Sequence, residues 1–353
     1  MQPGRPATFV EGFHDEEAVK KMPYRQLSHT GWTVAPLALG GSAFGSVFGD
    51  TSDTESAAVI RSAIQRGINL VDTAPWYGHG KSERVLGQTL PHLPRDSFYL
   101  MSKVGRYKPN VQEMFDFRAE RVLASIDESL ERLGVAYLDV GQVHDPEFAP
   151  SLDLICSETL PALLKAKEAG KIRHIGITGY PLDVHHYLVE HSPVRIDTAL
   201  TYCHYTLNDS TLLEHLDFYA AHDIDVINAS ALSMGLLSTD GPPSWHPAGP
   251  AIKAACQDAL ALCQSRGVNL SRLALHYSLS NPRIATTLVS TAHLAQLEAN
   301  LDVCLHGLAP VETSTLDELC TGVFGSLHGK ETWEGVEVDN YWKQLGQRPN
   351  VTS

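Results

Sequence analysis

The chain of 353 residues contains no run of about 18 consecutive apolar residues, so no membrane-crossing helix is expected. Residues 1–21 carry several acids and no apolar h-region, which argues against a secretory leader. Cysteine is sparse: the six residues, Cys156, Cys203, Cys256, Cys263, Cys304 and Cys320, include no CxxC pair. Neither a disulfide framework nor a zinc ribbon is expected, and reduced thiols fit a cytoplasmic protein. Positive charge is also short. Lys and Arg number 27 against 41 Asp and Glu, a net charge of −14 that repels nucleic-acid phosphates and anionic membranes. That balance leaves a small molecule or a protein as partner.

Three familiar signatures fail. The dinucleotide fingerprint GxGxxG is missing. Gly80-Lys81-Ser82 resembles the end of a phosphate-binding loop, but Pro75 stands where its first glycine belongs. Gly40-Gly41-Ser42 is followed by Ala43-Phe44, so no hydrolase elbow forms.

What is present is ordinary globular composition, 43% hydrophobic and 19% charged, long enough to bury a large core. Short β-rich runs alternate with helical runs. Strands are expected at 34–39, 68–71, 98–103, 138–143, 172–177, 198–202, 224–228 and 285–289. Helices are expected at 82–90, 118–133, 157–169, 182–190, 210–221, 252–265, 271–279 and 293–302, with another capped by Asp53 or Thr54 and ending at Gly67. Strands buried on both faces and separated by helices imply a parallel sheet, and eight such units fit a closed α/β TIM barrel, (β/α)8. Residues 24–36 read as an N-terminal β-hairpin turning at Thr30-Gly31 that could plug the barrel. The expected division is an extension at 1–22, the barrel at 23–326 and a C-terminal tail at 327–353. That tail reads as a loose surface segment or, because Trp333, Tyr341 and Trp342 need somewhere to pack, as a lid.

A TIM barrel places chemistry at the C-terminal ends of its strands. Asp72 and Tyr77 follow the second strand, Lys103 the third and His144 the fourth, so one rim receives all of them. Any one of these would be weak evidence. A phenol has an ordinary pKa near ~10, and a neighbouring ammonium lowers it. Lys103 supplies the ammonium, Asp72 orients it, His144 holds a substrate oxygen, and Tyr77 transfers the proton at a carbonyl or alcohol. None of these groups accepts hydride, so redox chemistry here needs a cofactor. Ser230 through Leu237 after strand seven and Ser290-Thr291 before the last helix are suited to phosphate. Adjacent Cys203 and His204 point to opposite faces of a strand and are not expected to share a metal. No metal site is expected elsewhere. His185-His186 reads as a solvated helix start.

At these residues the chain resembles the aldo-keto reductases over about residues 23–325. The segments carrying the likeness are Gly67-Ile-Asn-Leu-Val-Asp72-Thr-Ala-Pro-Trp-Tyr77-Gly and Gly170-Lys-Ile-Arg-His-Ile-Gly-Ile-Thr178-Gly. The resemblance implies the tetrad Asp72, Tyr77, Lys103 and His144. It also implies nicotinamide cofactor contacts at Gly41, Ser42, Asp72, Thr178, Tyr202, Ser230, Leu232, Gly235, Leu236, Ser290, Gln296 and Asn300. The loops 45–49, 201–211 and 234–247 resemble the L-galactose dehydrogenase branch. That branch implies oxidation of an aldose such as L-galactose at its anomeric C1 to the lactone, with NAD accepting hydride.

The sequence departs from the family at several points. Thr178-Gly179 and Leu200 stand where the family uses Ser/Asn and Gln at the carboxamide, Ala229 where a stacking tyrosine is common, and Ala292 where a cation meets the 2′-phosphate of NADP. The last departure favours NAD over NADP. Two further readings remain. One is an NADPH-dependent aldehyde or ketone reductase, and the other a non-enzymatic reductase-fold binding subunit. The expected partner is a small-molecule sugar or aldehyde, with no nucleic acid or membrane, in a monomer or weak homo-oligomer.

Overall fold

In the computed structural model, residues 5–327 and 332–346 are described. A two-stranded antiparallel hairpin, β1 (Arg25–Gln26) and β2 (Thr33–Val34), precedes a closed parallel barrel. The barrel strands are β3 (Leu37–Gly40), β4 (Leu70–Asp72), β5 (Tyr99–Val104), β6 (Leu138–His144), β7 (Ile172–Gly179), β8 (Thr198–Tyr202), β9 (Asp225–Ala229) and β10 (Thr286–Ser290). They pair in chain order, and β10 closes on β3. Apolar side chains from both faces of these strands are buried, which is why the runs read as nearly continuous rather than alternating.

The helices follow from spacing and punctuation. Ala119–Leu133 buries Val122, Ser125, Ile126, Ser129 and Leu133, an i, i+3, i+4, i+7 stripe, and stops at Gly134 with φ 65°. Asp53–Gln65 is capped by Ser52, one residue before the expected cap. The helix expected at 157–169 starts earlier, as a π turn at Ile155–Thr159 leading into Leu160–Glu168. The helix expected at 82–90 is Lys81–Gly87 followed by a 3-10 turn at Leu90–His92. Helices Glu16–Lys21 and Pro310–Glu318 were not expected from the sequence.

The hairpin closes the end of the barrel opposite the rim. Leu27, Trp32 and Val34 join Leu70, Met101, Val140, Leu200, Ile227 and Leu288 in one buried cluster. Trp32 stacks on Tyr99 with centroids 4.1 Å apart. Its turn is pinned by Asp225, which accepts from His29 N at 3.0 Å and from Thr30 N and Oγ1 at 2.8 Å.

The described part of the tail is packed, not loose. Trp333 and Trp342 are buried, and the helix Val336–Gln344 lies near the turn after β6. Tyr341 meets Phe115 and Phe148 edge-on at 5.2 and 5.5 Å.

Candidate active site

Parallel register sets the rim. Gly40 pairs with Asp72, Lys103 with Gln142, and His144 with Thr178. Gln142 and His144 are two apart on one strand and therefore share a face. After β4 the chain turns tightly so that Tyr77 N bonds Ala74 O at 3.1 Å. Gly78 has φ 60°, and a Cβ there would stand 2.2 Å from Gly45 O, so only glycine lets this loop press against the one after β3.

Asp72, Tyr77 and Lys103 meet directly. Lys103 Nζ donates to Asp72 Oδ2 at 2.5 Å, to Thr73 O at 3.0 Å and to Tyr77 Oη at 3.2 Å. Gln142 Nε2 donates to Asp72 Oδ1 at 2.9 Å. His144 stands edge-on to the Tyr77 ring with centroids 5.9 Å apart. Lys103 is buried, which opposes its charge, but Asp72 and Tyr77 outweigh burial and raise its pKa. Burial raises the Tyr77 phenol, and Lys103 only partly offsets it. This reverses the sequence expectation: the ammonium is in place, yet desolvation of the phenol outweighs it. His144 is held well below its ordinary value by burial, then by Lys103 and Arg106, so the imidazole is neutral at neutral pH.

Arg106, Asp145 and Gln142 complete this half of the rim and were not picked out in the sequence. Arg106 binds Asp145 Oδ2 at 2.6 Å and lies 4.1 Å over the Trp76 ring. Asp145 Oδ2 is 3.6 Å from His144 Nε2. The i, i+2 spacing from His144 could have found Gln142. Nothing local marks Arg106, which gains meaning only beside β6.

The other expected contacts lie along the opposite arc. Gly41 and Ser42 follow β3, and the Ser42 hydroxyl bonds that of Ser290 at the end of β10. Thr178 ends β7 beside the buried His144. Tyr202 ends β8 and stacks on Tyr180 at 5.2 Å. After β9, Ser230, Ser233, Met234 and Gly235 all have positive φ, a tight loop that includes Leu232. Leu236 is buried in an apolar cluster, so only its backbone is free for a ligand. Asn300 donates to Thr291 Oγ1 at 3.1 Å, and Gln296, exposed on the same helix, accepts from Ala292 N at 3.3 Å. Ser290 leads into the helix Leu294–His306, whose first amides favour an anion. Hydroxyls, tight backbone and a helix start fit the phosphates of a dinucleotide. Beside Ala292, His293 Nδ1 pairs with Glu55 at 2.9 Å.

One sequence reading changes here. His185 is buried and bonds Tyr219 Oη at 3.0 Å, so it is a core residue rather than a solvated one. His204 is also buried, with Nδ1 3.1 Å from Asp209 and Nε2 2.7 Å from Tyr180 O.

Fold and rim together define an oxidoreductase barrel. Residues 36–320 match the aldo/keto reductase family, and the chain belongs to it. It is 48% identical over 284 residues to the L-galactose dehydrogenase of Arabidopsis thaliana, covering 80% of this chain and 88% of that one. It is 33% identical to the D-arabinose 1-dehydrogenase of Saccharomyces cerevisiae, covering 70% and 76%. Among solved structures it resembles an aldo-keto reductase of Bacillus halodurans with TM-score 0.67 at 24% identity, covering 84% of this chain and 96% of that chain, a likeness of fold. The protein is thus a nicotinamide-dependent oxidoreductase with an aldo-keto reductase barrel.

Proposed function

We propose that the protein oxidises the anomeric C1 of an aldose such as L-galactose to its lactone, with NAD as hydride acceptor. The observation that carries this reading is the contact of the buried Lys103 Nζ with Tyr77 Oη at 3.2 Å, with neutral His144 edge-on beside it. The named relatives act on aldoses, which supports a sugar as substrate.

The bound nicotinamide supplies the acceptor for the hydride leaving C1. The chain handles the proton and the geometry. Neutral His144 orients the C1 hydroxyl. For oxidation the Tyr77 phenol first releases its own proton to solvent, and the phenolate, favoured by the ammonium of Lys103, then takes the hydroxyl proton as the C1–O bond becomes a carbonyl. Asp72 and Gln142 keep Lys103 charged and aimed. In the reverse direction Tyr77 returns the proton, and its raised pKa suits that role. Gly41, Ser42, Thr178, Tyr202, Ser230, Leu232, Gly235, Leu236, Ser290, Gln296 and Asn300 are proposed to hold the cofactor, several through backbone amides.

Glu55, paired with His293 next to Ala292, supports NAD: a carboxylate repels a 2′-phosphate and accepts a bond from a free ribose hydroxyl. The test is initial-rate formation of NADH and NADPH with L-galactose, L-fucose, D-arabinose and D-galactose. NAD-linked turnover of the first three is expected. Silence on all four, with NADPH-driven reduction of simple aldehydes, would make the protein a general reductase.

A further inference from the structure

The rim after β6 and β7 holds groups that proton transfer leaves unused. Glu147 sits three residues beyond His144, and its carboxyl folds back onto the end of β7. Oε1 accepts from Tyr180 N at 3.0 Å. Oε2 is buried and meets no hydrogen-bond partner among the described residues. Its space exists because residue 179 is glycine: a Cβ there would lie 2.6 Å from Oε2.

The tail brings a second unpaired group. Trp333 is 4% exposed, stacks on Tyr180 at 5.0 Å, and donates its backbone N–H to Tyr180 Oη at 3.2 Å. Its indole Nε1–H is also buried without a partner among the described residues. Glu147 and Trp333 wall the same narrow slot, with Phe148, Tyr180 and Tyr202 as aromatic sides and Glu337 at its edge. The cavity, about 10 Å³, has room for one water-sized group.

Buried polar atoms are normally paired, and each one left alone costs about 1–3 kcal/mol. The two residues that carry such atoms, from segments far apart in sequence, line one slot. A hydroxyl carries one donor and two lone pairs, so it satisfies both an indole N–H and a carboxyl oxygen. The nearby cation, Arg106, is already bound to Asp145 at 2.6 Å, which leaves the slot ill-suited to a phosphate or carboxylate. The slot adjoins the reacting half of the rim, since Arg106 also lies 5.8 Å from the Phe148 ring and Asp145 lies 3.6 Å from His144.

We infer that this slot is a hydroxyl-reading subsite in which Trp333 and Glu147 bind one hydroxyl of a neutral sugar, at a carbon other than the one oxidised. The inference rests on the sugar-dehydrogenase reading and assigns the tail a part in specificity. Burial holds the Glu147 carboxyl well above its usual range, in keeping with a neutral ligand.

The experiment compares kcat/KM with NAD for L-galactose and its 2-, 3-, 4- and 6-deoxy analogues. It uses the full chain, unmodified and as Trp333→Phe and Glu147→Leu. On the unmodified protein one deoxy sugar is expected to fall about tenfold or more below L-galactose, the worth of a lost hydrogen bond. Each variant should lower L-galactose to that level through a higher KM, with no further loss on that one deoxy sugar. Equal losses on all five sugars, or no loss on any, would overturn the subsite while leaving the sugar reading intact. An unmodified protein that oxidises no aldose would remove the sugar reading, and the subsite with it. Thermal melts of both variants separate loss of recognition from loss of fold, and the variant that stays folded decides.

Discussion

Burial governs Tyr77 more than its charged neighbour does. The phenol lies 3.2 Å from an ammonium and still has a raised pKa, because burial takes more hydration from a phenolate here than the ammonium repays. It therefore rests as the neutral phenol, ready to give a proton in the reducing direction, and must lose that proton before it accepts one in the oxidising direction. Removing the hydroxyl should lower kcat by about 10²–10⁴-fold, the usual share of general acid–base catalysis. In Tyr77→Phe that loss is expected with nicotinamide binding intact, read by fluorescence quenching. Undiminished turnover would take Tyr77 out of proton transfer.

Among the elements, the hairpin and the tail close opposite ends of the barrel by different physics. The hairpin is mainly apolar packing. Trp32 lies flat on Tyr99 at 4.1 Å and edge-on to His174 at 5.1 Å. Trp32→Ala leaves a cavity that the barrel cannot fill, at a cost of about 3–5 kcal/mol. Urea melts should show a lower midpoint with little change in slope, and an unchanged midpoint would mean the hairpin is not part of the core.

The tail is held partly by charge. His204 Nε2 lies 3.3 Å from Glu334, and Nδ1 bonds Asp209 and Thr211. Its ring also stacks on Tyr180 at 4.5 Å. Burial opposes the imidazolium, but Asp209 and Glu334 prevail and raise its pKa to about 9. A raised pKa means the contact is complete below the ordinary imidazole value and fades as pH climbs through about 9. Trp333 emission should shift over that interval, and His204→Gln should show the shifted spectrum at neutral pH. A flat titration in the unmodified protein would show that stacking alone holds the tail.

Across the whole molecule, Asp197 ties separate parts of the fold. It accepts from His29 of the hairpin turn at 2.9 Å, from Lys167 at 3.0 Å and from Ile175 N of β7 at 2.8 Å. Burial alone would raise its carboxyl, but bonds from His174, Ile175, His29 and Lys167 hold it well below the usual range. A depressed carboxyl stabilises above its unfolded value near ~3.9 and loses that contribution as pH falls toward the folded one. Melting temperature should fall through this acid range, and Asp197→Asn should flatten the fall. An equally steep fall in the variant would place the acid lability elsewhere.

The barrel and much of its rim were legible in the sequence because they rest on local signals. Buried strands, helix stripes and terminal glycines give the alternation, and an eightfold alternation in a parallel sheet has few ways to close. The strand-end positions of Asp72, Lys103 and His144 follow from that closure. Other features depend on contacts between distant segments. The sequence places Lys103 near Tyr77 but not the depth of burial that sets the phenol's pKa. The His185 ring looks solvated from the sequence because its partner, Tyr219, lies 34 positions away on another helix. The polar tail reads as a loose segment or as a lid, and the sequence does not choose because the partner that buries Trp333, Tyr180, lies 153 positions earlier. Local patterning therefore determined the architecture and the chemical identity of the rim. Tertiary packing alone decided how dry the rim is, what covers it and which polar atoms remain unpaired, because desolvation depends on every segment that comes to lie within reach.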